Sequence, residues 1–221
     1  SSTLTDVVDA DGVLVENSPY YHFYTLEKYW EISKYSKQFN IPISDIYESR
    51  LKKMIEYAIY VLQPNNEIPL LGASLKRKIL YSGVYKEISQ KYPELMFVLT
   101  QGKEGKAPND INRVYQASGE VIMRSSWGDS ETFGDQTQII FDGGPYRTQH
   151  SDLDGLSFSL YGAGESLLPD SGLYTYEASE LKNYFHGTSS HNTVTVDNLD
   201  QAPGNVSIGK KCIIESHSFV C

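Results

Sequence analysis

"TQGKEGKAPNDIN", Thr100 to Asn112, marks the point at which the sequence changes period. The stretch is polar, carries Gly and Pro, and reads as a linker. Before it, apolar residues recur at helical intervals. In "YYHFYTLEKYWEISKYSKQF" Phe23, Leu26 and Trp30 share one face, while Glu27, Lys28 and Glu31 supply polar positions. Ser18-Pro19 in front of it offers an N-cap and a first-turn proline. "IPISDIYESRLKKMIEYAIYVLQP" repeats the arrangement: Ser44 caps, Ile46, Leu51, Met54, Ile55, Ala58 and Leu62 form the apolar stripe, and Pro64 ends it. "YSGVYKEISQKYPELMFVL" adds shorter helical turns interrupted by Pro93.

After the linker the apolar positions alternate. "GEVIMRSSW", "TQIIFDGG", "GLSFSLYG", "HNTVTVDN" and "KKCIIES" are expected strands, bounded by Gly, Asp, Asn and Pro. Short strands in succession, without helices between them, point to an antiparallel sandwich. The expected fold class is α+β, helices first and antiparallel sheet second.

Composition narrows the function. The chain has 221 residues, 40% of them apolar and 12% aromatic, so it can bury a core. No apolar run is long enough to cross a membrane as a helix. A net charge of −9 argues against a nucleic-acid partner, because phosphates require clustered Lys and Arg. The same charge makes a heavily sulfated substrate less attractive, although Arg124, Arg147 and Lys182 could make a cleft locally basic. Seventeen tyrosines suit sugar clefts and protein cores alike. The two cysteines, Cys212 and Cys221, form no framework and read as reduced, packed thiols. The last apolar stretch ends at Cys221 without a cap or polar tail, which reads as a piece of a longer protein.

Acids and histidines interrupt the sheet half at turn positions. Asp152, Asp170 and His191, 18 and 21 residues apart, could bring three metal ligands to neighbouring strand ends. They could equally be turn residues and a hydrogen-bonded strand histidine. In "ENSPYYH", Tyr21 beside His22 lies near the positive end of a helix dipole, where a phenol becomes a usable acid or base. Tyr20 and Tyr21 could also simply pack. Arg147 in "GGPYRTQ" is a fixed cation close to His150, suited to holding a carboxylate. Asp152 and Asp154 share a face if extended, the arrangement an inverting glycoside hydrolase would need.

The order "ENSPYYH", "VIMRSSWG", "FDGGPYRTQHSDLDGLSFSLYGAGESLLPDSGLYTY" and "SSHNTVTVDN" resembles the heparinase II/III-like polysaccharide lyases, closest to the heparinase III branch. The resemblance runs over nearly the whole chain. It implies that residues 1–105 are the last helices of an incomplete (α/α) toroid, and that 106–221 are part of an antiparallel β-sandwich. Earlier toroid helices, with the Asn or His that neutralises a substrate carboxylate, are expected before Ser1. The chain alone is accordingly expected to be inactive. A periplasmic or secreted location is also implied.

The family's reaction is β-elimination at a uronic acid of an acidic polysaccharide such as a glycosaminoglycan, alginate or an exopolysaccharide. By motif match Tyr21 takes the catalytic tyrosine position, with Tyr20 one residue away in register, and His150 takes the catalytic histidine position. Asp152, Asp170 and His191 match positions that bind a divalent metal ion beside the cleft. Many relatives read Gly-His-x-His-x-Asp where this chain reads Gln149-His150-Ser151-Asp152-Leu153-Asp154. The exchange of a second histidine for Asp152 leaves Zn²⁺ possible and favours harder ions such as Ca²⁺. A glycoside hydrolase and a non-catalytic carbohydrate-binding or polysaccharide-assembly protein are the competing readings.

Overall fold

A computed structural model of the chain describes residues 2–146, 150–203, 213–215 and 218–220. The expected Arg147, Cys212 and Cys221 lie outside the described residues. Helices come first: α1 (Ser2–Val7), α2 (Pro19–Gln38), α3 (Asp45–Val61), α4 (Gly83–Ser89) and α5 (Pro93–Leu99). The local rules that start them are visible. Ser44 accepts a hydrogen bond from the Tyr47 N–H at the head of α3, and Pro19 and Pro93 occupy the first turns of α2 and α5. Ser18 precedes α2 with extended backbone but does not cap it; its hydroxyl lies 3.0 Å from that of Ser74.

Phe23, Leu26 and Trp30 of α2 are buried against α3, as are Leu51, Met54, Ile55 and Ala58 of α3 itself. Ile46 is not part of that stripe: it stands 58% exposed, one position off the face that Tyr47 buries. The second half of α3 is buried on all sides, from Tyr57 to Val61 without a break. It therefore forms the central rod between the other helices and the sheet.

The sheet is an antiparallel meander of β1 (Asn112–Tyr115), β2 (Glu120–Arg124), β3 (Gln138–Asp142), β4 (Ser157–Gly162) and β5 (Glu165–Leu168), paired in that order. A second pair joins β6 (Ile213–Glu215) to β7 (Ser218–Val220). The short α6 (Glu180–His186) follows β5. This is the α+β class expected. "HNTVTVDN" corrects the expectation: it forms no ladder strand, and Val194 and Val196 stand 75% and 68% exposed. Alternation records only a preference for extended backbone, and here Asp197 and Asn198, both in the left-handed region, turn the chain back in an isolated bridge from Val196 to Leu199.

Helices and sheet meet through polar groups buried with their partners. Arg124 on β2 donates to the carbonyls of Tyr60 and Leu62 at the end of α3, and Gln138 on β3 donates to the same two at 2.8 and 3.1 Å. Arg124 is thus a structural cation, not one lining a cleft. At the other end of the same β2–β3 ladder, Glu120 faces Asp142 and accepts a 2.7 Å hydrogen bond from Tyr57 of α3. Burial, then the charge of Asp142, pushes the Glu120 carboxyl up to about 8, against the pull of the Tyr57 hydrogen bond.

The sign of the consequence is fixed. A carboxyl raised on folding favours the folded state fully below its unfolded value, and that contribution is lost as pH rises through about 8. Melting temperatures measured from pH 5 to pH 9 should fall towards the alkaline end. Glu120→Gln should flatten that limb and melt about 3 °C or more above the parent at pH 9. A parallel fall in both proteins would remove Glu120 as its cause.

Candidate active site

Three segments from different parts of the chain meet beside the start of α2. Tyr21 lies in its first turn, and its ring stacks on the His150 imidazole with centroids 4.1 Å apart and planes 29° apart. Behind the imidazole, Glu16 accepts from His150 Nδ1 at 2.9 Å. The Tyr21 hydroxyl lies 2.6 Å from the hydroxyl of Tyr176, whose ring stands edge-on to His150. Burial first, then the bond to Tyr21, pushes the Tyr176 phenol above its usual range, so Tyr176 stays protonated. Tyr20 does not take the stacked place; it packs edge-on against Tyr21.

A tight loop sets this geometry. Gly72 has φ +54, and a Cβ there would sit 2.6 Å from the carbonyl oxygens of both Asn17 and His150. The next residue, Ala73, donates its N–H to the His150 carbonyl at 2.8 Å. Ser74 then accepts from the Tyr20 N–H through its hydroxyl and from the Leu173 N–H through its carbonyl. Three residues thereby tie together the head of α2, the His150 segment and the 172–176 segment. Local sequence gave no hint of this loop, because its partners, reached by backbone and by the Ser74 hydroxyl, are distant along the chain.

A second cluster lies deeper. His191 Nδ1 is 3.0 Å from both carboxylate oxygens of Asp170, and both side chains are fully enclosed. The third member is Asp154: ligand atoms of Asp154, Asp170 and His191 all lie within 4.8 Å of one another. Asp152, read from sequence as the third ligand, stands outside this trio and lines the neighbouring cavity instead. The reason is a turn, not a strand, before β4: Ser157 N–H bonds to the Asp154 carbonyl and Leu153 N–H to that of His186. Asp154 is turned inwards, so the two acids do not flank an open cleft as a hydrolase pair would.

The cluster's charge is strongly coupled. Burial alone would lower the His191 pKa, but the hydrogen bond to Asp170, with the charges of Asp170, Asp154 and Asp152, raises it to about 9. Burial raises the Asp154 carboxyl and takes Asp152 to about 7, the His191 charge opposing both. His191 Nε2 is buried without a hydrogen-bond partner among the described residues. Two carboxylates and an imidazole whose Nε2 has no partner among the described residues suit a divalent cation.

Residues 2–97 match the family described as heparinase II/III N-terminus, and residues 108–215 match the heparinase II/III-like C-terminal family. A heparin-sulfate lyase of Bacteroides stercoris is 32% identical over 211 residues, covering 86% of this chain and 30% of its own length. A second heparin-sulfate lyase, from Pedobacter heparinus, is 26% identical over 201 residues with the same coverage. Among solved structures, a heparan sulfate lyase mutant from Pedobacter heparinus superposes with a TM-score of 0.83 at 25% identity, covering 92% of this chain and 33% of its own. The chain spans about a third of the length of the relatives it matches.

The Gly72 loop can be tested apart from chemistry. Gly72→Val should destabilise the fold by about 2–4 kcal/mol, because a side chain there clashes with two backbone carbonyls and forces a β-branched residue to a positive φ. Urea denaturation measures the loss; a variant as stable as the parent would show that the loop relaxes freely.

Proposed function

The chain belongs to the heparinase II/III-like family, and from that premise we propose that its site cleaves a uronic-acid-containing polysaccharide by β-elimination. With Glu16 accepting from Nδ1–H, His150 holds its other ring nitrogen, Nε2, as a lone-pair base. That nitrogen takes the proton from C5 of the uronate. The released electron pair forms the bond between C4 and C5, and the bond from C4 to the glycosidic oxygen breaks. The Tyr21 hydroxyl, held by Tyr176, gives its proton to the departing oxygen. The family resemblance assigns neutralisation of the substrate carboxylate to a residue outside this chain, and Arg147, close to His150 in sequence, is a candidate for a further cationic contact. A glycosaminoglycan is the substrate class that the named relatives favour.

The observation that carries this reading is the Tyr21–His150 stack with a carboxylate fixed behind the imidazole. An acid and a base share one small volume, contributed by different segments of the chain. In the natural full-length protein, Tyr21→Phe should reduce the appearance of ultraviolet-absorbing unsaturated product by about 10²–10⁴-fold. Its circular dichroism should match that of the parent. Near-parental turnover in that variant would take Tyr21 out of the chemistry.

Asp154, Asp170 and His191 are the residues that would hold a divalent cation, Zn²⁺ or Ca²⁺. The chemistry such an ion supplies is structural cross-linking of the turn before β4 to the 170 and 191 loops. The proton that the cluster keeps on His191 is the charge an ion would replace, so binding should strengthen as that proton is lost. EDTA should lower the melting temperature of the full-length protein, and Asp170→Ala should abolish that response. An unchanged melting temperature in EDTA, with no metal found by elemental analysis, would discard the ion.

A further inference from the structure

A cavity of about 180 Å³ opens beside His150, and the elimination chemistry uses none of its far wall. That wall is built from Tyr174, Phe185 and Lys182. The rings of Tyr174 and Phe185 stack with centroids 5.0 Å apart and planes 11° apart. One face of Tyr174 is thereby fixed while the side chain remains 54% exposed. An exposed tyrosine held flat by a second ring costs little entropy on binding and offers an apolar platform.

Lys182 stands in the same wall, its ammonium donating to the Tyr176 carbonyl at 3.2 Å. Among the described residues no carboxylate lies within ion-pair distance of it. In a chain with a net charge of −9, a cation without a counter-ion facing a cavity is a feature that a ligand would complete. Tyr176 links the two halves: its backbone carbonyl holds Lys182 and its hydroxyl holds Tyr21.

Building on the elimination reading, we propose that this cavity is a sugar subsite next to the reacting uronate. A pyranose ring lays its apolar C–H face on Tyr174 and sets an anionic substituent, carboxylate or sulfate, on Lys182 Nζ. Tyr174, ahead of α6, and Lys182 and Phe185, on α6, then select the neighbouring sugar.

The test uses full-length protein carrying Tyr21→Phe, so that ligand is bound without being cleaved. Two probes are titrated by calorimetry, a heparan sulfate tetrasaccharide and its desulfated counterpart. Added Tyr174→Ala should weaken both about tenfold, and Tyr174→Phe should retain the affinity. Added Lys182→Gln should also weaken binding about tenfold and reduce its salt dependence. Loss confined to the sulfated probe assigns the anion to sulfate; equal loss on both assigns it to carboxylate. Changes below twofold in both variants, or binding of neither probe, would overturn the subsite. Otherwise unmodified protein that binds through Tyr174 and Lys182 yet releases no unsaturated product would leave the subsite standing and reject elimination. Release of product with affinities indifferent to both residues would do the reverse.

Discussion

The constraint on which the rest of this structure depends is the end of α3. A helix terminus leaves carbonyls without partners, and α3 ends inside the protein where water cannot supply them. Arg124 and Gln138, from two adjacent strands, supply the donors for Tyr60 and Leu62. The guanidinium also lies 4.4 Å over the Trp127 ring and donates to Gln136. Burial pulls Arg124 down to about 9, which leaves it charged at neutral pH and complementary to the negative end of the helix. Each buried carbonyl left unmet would cost about 1–3 kcal/mol, so sheet and helix hold one relative position. The position of α2 follows from that of α3: His22 is bonded to the Met54 carbonyl, and Tyr21 is its neighbour in sequence. A strand arginine remote from the Tyr21–His150 stack therefore helps to decide where Tyr21 stands.

Two buried titrations bound stability from opposite sides. Burial lowers His22 to about 4, a contribution lost in acid as the ring is forced to accept a proton. Glu120 works the other way and is charged only at a cost as pH rises. Both groups lie against Tyr57, His22 by its ring and Glu120 by its carboxyl. The helix-to-sheet junction is thus most comfortable with both groups neutral, between those two values.

What could be read from sequence follows what local chemistry encodes. Ser44 acts through its hydroxyl on an N–H three residues on and Pro19 through its fixed φ, so the starts of α3 and α2 were legible. Pro93, read as an interruption, begins α5. Strands β2, β3 and β4 were legible because their alternation matches real partners. Strand β5 was missed although Ala163-Gly164, both at positive φ, makes the two-residue turn of a hairpin. Helix α6 carries no fully buried residue, so no apolar stripe announced it. At the site, motif order placed Tyr21 beside His150, and Asp170 and His191 together. It did not reach Asp154, because a bent turn and not strand parity decides which acid points inwards. Glu16 and the Gly72 loop were invisible for a related reason: their partners are distant in sequence, so no local spacing signals them.

The Tyr21–His150 stack stands where segments from different parts of the chain meet. Here each ring is held from outside the pair, His150 by Glu16 and Tyr21 by Tyr176. Those supports come from before α2 and from the segment ahead of α6, so neither ring depends on the other for its position. The short loop from Gly72 to Ser74 bonds to the head of α2, to the His150 segment and to the segment of Leu173, and so fixes their spacing. Backbone is the only material thin enough to do this where Gly72 meets two carbonyls at van der Waals limits. The open space that remains beside His150 is bounded by this loop at Ala73, by Gly172, and by α6 at Lys182, Phe185 and His186.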